Sequence, residues 1–256
     1  MDTQLRNAQV CKTGCGRDAG TIGDLQLPYC PECAAELAAQ DLQEARAHAL
    51  GKLLTAAGGT PMMRDWTVES YPDDEEGQRV RGYVRGWITG YVHGERHNLI
   101  LFGGVGAGKT GIAWSMVRKL VEHEIDVAAA TEREPMLPAA IVNWRGLLEA
   151  VRAAMRSNDE PPAFNTARHV GVLVLDDLGA ERPTDFARET LANLVEHRMQ
   201  QQLPIVVTTN YDPDRLAARL GHDGALVGQR IVSRLCQDAV QVRFVNGDRR
   251  REEQAA

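Results

Sequence analysis

Aromatic residues are scarce, at 5% of a 256-residue chain, so an extended platform of rings for stacking nucleic-acid bases is not expected. No apolar run approaches the length that spans a bilayer, and the opening "MDTQLRNAQV" lacks the basic start and apolar centre of a signal peptide. The chain therefore reads as cytoplasmic. An excess of positive charge is missing too: Lys and Arg number 29 against 35 Asp and Glu, a net charge of −6. That balance argues against a protein that coats nucleic acid through bulk charge, though a local basic stripe stays open. There is no internal repeat and no low-complexity tract. The 43% hydrophobic and 25% charged composition is that of an ordinary globular protein with room for one substantial core and a small appendage.

Cysteine is rare as well, yet four of the five fall in "CKTGCGRDAGTIGDLQLPYCPEC", residues 11–33. In a reducing compartment, clustered thiols more often hold metal than form disulfides. Cys11 and Cys15 stand four apart, Cys30 and Cys33 three apart, a spacing that can set four thiolates around Zn²⁺. So small a segment has little core, and the metal would supply much of its folding free energy. The competing reading is a redox pair at Cys30 and Cys33, which the second pair upstream does not fit. Cys236 is expected to be a buried thiol. Residues 34–56 read as one helix ending at "AGGTP", where glycine and proline stop the pattern. The expected organisation is a zinc-binding domain at 1–40, a linker helix at 41–60 and a larger domain at 61–256.

A helix is expected over 78–93. From Asn98 onward, apolar strands alternate with helical segments: "NLILF", a helix over 109–124, "AAIVNW", "RGLLEAVRAAMRS", "VGVLVLDD", "RETLANLVEHRMQQ", "LPIVVTTN", "DRLAARL", "VGQRIVSRLCQ" and "AVQVRFV". Continuous apolar strands between helices predict an α/β fold, a parallel sheet covered on both faces.

"GGVGAGKT" has the P-loop spacing, Gly103 followed by Gly108, Lys109 and Thr110, between an apolar strand and a helix. Gly103, Gly106 and Gly108 let successive N–H groups turn toward phosphate oxygens at a helix N-terminus. Lys109 adds charge between the β- and γ-phosphates, and Thr110 offers a hydroxyl to Mg²⁺. "VGVLVLDDLG" ends in Asp176, a candidate Mg²⁺ carboxylate, and Asp177, a candidate to polarise the attacking water. Asn210, closing "VVTTN", is an amide suited to positioning that water; a turn aspartate and an N-cap are the bland alternatives. Arg230 and Arg234 lie four apart on one helical face, where a solvated basic face competes with an arginine offered to a neighbour's γ-phosphate.

Taken in order, "NLILFGGVGAGKT", "VLVLDDLGAERPT", "PIVVTTN" and "RIVSRL" resemble the AAA+ ATPases of the DnaC/DnaI helicase-loader group, a branch that also holds the transposition ATPase IstB. The likeness covers roughly residues 61–251 and includes "TVESYP" before the P-loop. It implies an AAA+ fold, ATP, Mg²⁺ and Zn²⁺ as cofactors, and ATP hydrolysis. It also implies subunits in an ATP-bridged arc or spiral, with Arg234 acting across the boundary. A hexameric replicative helicase is the implied partner, gripped by a zinc head of the DnaI type. Single-stranded DNA is implied along the helix bearing Arg145, Arg152 and Arg156, which equally reads as a solvated face. Arg249 or Arg250 is a candidate second sensor, against the reading of a frayed basic end. The rival functions are an IstB-like regulator of transposition and a zinc adaptor that uses ATP only as a switch.

Overall fold

The computed structural model describes residues 10–22, 25–155, 161–221, 225–245 and 247. Arg156, Arg249 and Arg250 lie outside them. The chain divides into two compact units, 1–51 and 52–256.

The first unit holds a small antiparallel hairpin, β1 (Thr21–Ile22) and β2 (Leu25–Gln26), which the sequence reading did not anticipate. Two-residue strands leave no periodicity to read. The helix α1 runs Pro31–Ala56, three residues earlier than expected, and carries Cys33 in its first turn. Among its described residues Cys33 is the buried one, and Leu42 is 68% exposed. Its length and its content of Ala, Leu, Glu and Gln, all strong helix formers, supply the order that packing does not.

The second unit opens with a 3-10 turn at Pro61–Met63 and the helix α2 (Glu75–Val92), whose start is set by Asp74 accepting from the Gly77 N–H at 2.6 Å. There follow β3 (Leu99–Gly103), α3 (Lys109–Ala130), β4 (Ala139–Asn143), α4 (Trp144–Ala154), α5 (Pro162–His169), β5 (Val172–Asp176) and α6 (Asp185–Gln200). The chain closes with β6 (Ile205–Thr209), α7 (Pro213–Gly221), α8 (Ala225–Cys236) and β7 (Val240–Phe244). Strands β3 to β7 form one parallel sheet in the order β4-β5-β6-β3-β7, as the uninterrupted apolar strands imply. Ile100, Leu173, Leu175, Ile205 and Val207 pack with Trp144, Leu147, Leu191, Leu194 and Ile231 on one face. The alternate positions turn to the other face, which α2 and α3 cover. The chain leaves β3 toward β4 on one side and returns as β7 on the other. The carboxyl ends of β3, β5 and β6 therefore flank a topological switch point, the place where such sheets bind ligands. Among the described residues no helix is long and apolar enough to cross a membrane.

Helix α5 was not expected, being short and largely polar. It is pinned by Arg198 of α6, whose guanidinium is wholly buried. Nη1 donates to the carbonyls of Ala167 (2.9 Å), Val170 (2.9 Å) and Arg168 (3.4 Å), and Nη2 to those of Pro204 (2.9 Å) and Gly171 (3.2 Å). One side chain thus joins the end of α5 to the starts of β5 and β6. Arg198→Met keeps the apolar stem but strands buried carbonyls, so it should lower unfolding stability by about 3 kcal/mol or more. Urea denaturation followed by circular dichroism measures this, and a loss under about 1 kcal/mol would show that water satisfies those carbonyls instead.

Candidate functional site

The phosphate-loop residues fold as their chemistry requires. Gly108 caps α3 with φ 86°, and a Cβ there would sit 2.7 Å from the Tyr71 ring. Gly103, at φ 143°, leaves room for the Phe244 carbonyl, which a Cβ would meet at 2.2 Å. Each position excludes a side chain on both counts. The Tyr71 hydroxyl donates to Ala107 O at 2.7 Å, holding the loop from outside.

Lys109 is 8% exposed, and its ammonium donates to Gly103 O (3.0 Å), Gly104 O (2.6 Å) and Asn210 Oδ1 (2.8 Å). Thr110 Oγ1 donates to Asp176 Oδ1 at 2.8 Å, and Thr208 Oγ1 donates to the same oxygen at 2.7 Å. Burial pushes the Asp176 carboxyl above its usual range and the Asp177 charge adds to this, against the Thr208 and Thr110 hydroxyls and Lys109. Asp177 is exposed, with its backbone in the left-handed region at φ 59°. These side chains line one cleft of about 520 Å³. Gly106, Gly108, Lys109, Thr110, Asp176, Asp177 and Asn210 all border it, and Gly103 enters through its carbonyl. The carboxylate and hydroxyl oxygens at the β5 end suit a hard divalent cation. A second groove, of about 620 Å³ along α2, has neither a phosphate loop nor a carboxylate pair.

Trp66, Asn143 and Thr208, which no motif marks, also line this cleft, as do Thr67 and Tyr71 of the "TVESYP" stretch. Trp66 and Tyr71 had one available signal: two aromatics within six residues in a chain that has few. Asn143 caps α4, accepting from the Gly146 N–H at 3.1 Å, and lies in register with Asp176. Its neighbour in the sheet is set by pairing, which no local pattern reveals.

Arg230 and Arg234 do not line the cleft. With Glu196 they border a shallow cavity of about 160 Å³ between α6 and α8, and Arg234 pairs with Glu196. Arg145 is paired with Glu149 at 3.2 Å, and Arg152 reaches Thr184 Oγ1 at 3.2 Å while lying over the Phe186 ring. Both described arginines of that helix therefore have partners within the chain. Cys236 is half-buried, and burial pushes its thiol up.

In the first unit, the Sγ atoms of Cys11, Cys15, Cys30 and Cys33 all lie within 4.8 Å of one another. Cys15 and Cys30 are 3.8 Å apart, close to the edge of about 3.8 Å that a tetrahedron with 2.3 Å Zn–S bonds requires. The turn after Cys11 is closed by Gly14 N–H to Cys11 O at 2.9 Å, and the Cys30 N–H donates to Cys11 Sγ at 3.2 Å. The Thr13 hydroxyl bonds both Cys11 Sγ and Cys33 Sγ at 3.1 Å. Thr13 first, with backbone donors, lowers the Cys11 thiol to about 6; the Cys33 thiol, despite Thr13, is pushed up to about 12 by Cys30 and Cys15. Sulfurs crowded this closely ionise together only around a cation. The donor set fits structural zinc.

The P-loop cleft at the switch point of a parallel five-stranded sheet, in the order β4-β5-β6-β3-β7, fits the AAA+ fold expected from the motifs, and solved structures share that fold. The chain superimposes on the DnaC helicase loader (TM-score 0.56, 22% identity, 73% of this chain and 100% of that one) and on DnaI (0.58, 21%, 75% and 94%). AMPPCP-bound DnaA from Aquifex aeolicus has the same fold (0.53, 16%, 75% and 54%). No protein-family model matches the chain. In sequence the chain is similar to the replicative helicase loader DnaI of Bacillus subtilis (strain 168), 27% identical over 164 residues. That match takes in 62% of this chain and about half of DnaI, at 49%. It is similar also to the replicative helicase loader DnaC of Escherichia coli (strain K12), 21% identical over 226 residues, 86% of this chain and 82% of DnaC. The resemblance to DnaC/DnaI-like loaders implied by the motif order therefore stands.

Proposed function

We propose that this protein is an ATP-dependent loader of a hexameric replicative helicase onto single-stranded DNA. The observation that carries the reading is the set of contacts joining Lys109, Asn210, Thr110 and Asp176 at one sheet end, in a chain whose relatives are named replicative helicase loaders. Lys109 and the loop N–H groups around Gly106 and Gly108 would bind the β- and γ-phosphates. Thr110 and Asp176 would hold Mg²⁺, which supplies charge neutralisation at the transferring phosphoryl group. Asp177, exposed at the cleft, would orient the attacking water, and Asn210 would hold it once Lys109 engages phosphate.

Arg234, with Arg230 beside it, lies outside the cleft of its own chain. Facing a neighbour's nucleotide, Arg234 would stabilise the transition state and make hydrolysis depend on assembly into an arc. The four-cysteine head would dock on the helicase as a compact zinc-stiffened surface, with α1 as the link to the ATPase unit. Assignment of residues 1–40, 41–60 and 61–256 to head, linker and ATPase belongs to this proposal, as does a cytoplasmic location. DNA contacts by Arg145 or Arg152 would use guanidinium N–H groups beyond those that bond Glu149 and Thr184.

Native mass spectrometry of the chain mixed with the replicative helicase of its own organism, ATP and Mg²⁺ tests the reading. The expected species contains a helicase hexamer and disappears when residues 1–40 are removed. Absence of any complex with the full chain would overturn the loader assignment, and a transposase on duplex DNA would be the next partner to try.

A further inference from the structure

We infer that Thr208 is the positioning residue for the carboxylate pair Asp176 and Asp177, an inference that rests on the nucleotide reading above. Thr208 lies on β6 in the run "PIVVTTN", where isoleucine and valine precede it and the residue is 1% exposed. A hydroxyl buried in an apolar strand is unfavourable unless it is bonded. This one is bonded twice, to both acidic residues.

Its Oγ1 lies 2.8 Å from the Asp177 N–H and 2.7 Å from Asp176 Oδ1. The first partner is a donor, so the hydroxyl accepts there. Its single proton is then available to Asp176. The direction of the chain follows: Asp177 N–H to Thr208 O–H to Asp176 carboxylate. Each end has a separate consequence. At Asp177 the bond holds a non-glycine residue in the left-handed region, a conformation that persists where the surroundings impose it. At Asp176 it fixes the carboxylate rotation, with Oδ1 taking hydroxyl protons from Thr208 and Thr110. Oδ2 is thereby the oxygen turned to other partners.

Thr110 and Thr208 differ in what else they do. Thr110 stands at the start of α3 in the phosphate loop and is itself proposed to engage the cation. Thr208 borders the cleft from β6 rather than from the phosphate loop, and its hydroxyl acts through the two aspartates. Leu178 N–H donates to Thr208 O at 2.9 Å, so the backbone of β6 also anchors the turn that follows Asp177. Substitution of the side chain leaves that anchor in place. The hydroxyl's contribution can therefore be separated from the strand's.

The test compares Thr208→Val, Thr208→Ala and Thr208→Ser in the full chain. Nucleotide affinity is followed with a fluorescent ATP analogue across a Mg²⁺ titration and in EDTA, beside steady-state ATP hydrolysis. Loss of one charge-assisted bond should raise the Mg²⁺ midpoint and lower kcat in Thr208→Val by about tenfold each, with affinity in EDTA changed by less than about twofold. Thr208→Ala should behave as Thr208→Val, and Thr208→Ser, which keeps the hydroxyl, should match the unaltered protein. Folded Thr208→Val with an unchanged midpoint and kcat overturns the inference. So does a serine variant as impaired as the valine one. If both Thr208→Val and Thr208→Ala fail to fold, the residue is structural and the positioning role falls. An unaltered protein that binds no nucleotide at any Mg²⁺ concentration defeats the site reading itself, an outcome distinct from the others.

Discussion

Lys109→Ala should weaken ATP binding by about a hundredfold or more, at roughly 1.5–3 kcal/mol for each of two charge-assisted hydrogen bonds to phosphate. The side chain is well placed to deliver this. Its ammonium is held against the loop by Gly103 O, Gly104 O and Asn210 Oδ1, so little rotamer freedom is left to lose when the proposed phosphate binds. A nucleotide need only exchange some of those oxygens for its own. Because the cleft is open, water can satisfy the loop carbonyls in the alanine variant, and the fold should keep its thermal transition. Equilibrium titration with a fluorescent ATP analogue measures the effect. Arg234→Ala provides the contrast, since that side chain lies outside the cleft, paired with Glu196. It should bind nucleotide as the unaltered protein does and lose assembly-dependent hydrolysis. Equal loss of affinity in both variants would contradict a role for Arg234 across a subunit boundary.

Cys30→Ser should reduce bound zinc from one ion per chain to none and unfold the first unit. Among its described residues that unit buries Cys11, Ala19, Cys30 and Cys33, and the three cysteines, with Tyr29 against them, are its apolar cluster. Its hairpin has two residues per strand, too short to stand by itself. Metal binding in such domains contributes about 10–16 kcal/mol at neutral pH, far more than this cluster can bury. The second unit has its own core around the five-stranded sheet and should retain its unfolding transition. Metal analysis together with hydrogen exchange checks both halves of the expectation. An unchanged zinc content in the variant would sink the four-thiolate site. A lost ion with unchanged exchange protection in residues 10–51 would instead show that the head folds without it.

What could be read along the chain were the features carried by neighbouring residues. The succession of strands and helices, the P-loop between β3 and α3, the aspartates ending β5 and the paired cysteines were all legible, because apolar period, glycine spacing and ligand spacing are local properties. The starts of α2 and α6 moved by three residues because Asp74 and Thr184 cap them, and α3 runs to Ala130, six residues past its expected end. The hairpin β1–β2 and helix α5 escaped because segments so short carry almost no periodic signal. Other decisions belonged to tertiary structure. Arg198 looks in the sequence like one more charged residue of a surface helix, yet it is buried against five carbonyls. Thr208 looks like a β-branched strand residue, and it reaches Asp176 only because β5 and β6 pair in register. The Lys109–Asn210 contact joins residues 101 positions apart. By itself the sequence determined which residue types were available and in what order the motifs came. Which of them meet was decided by the sheet, because hydrogen bonds between distant residues depend on strand register and burial rather than on anything adjacent in the chain.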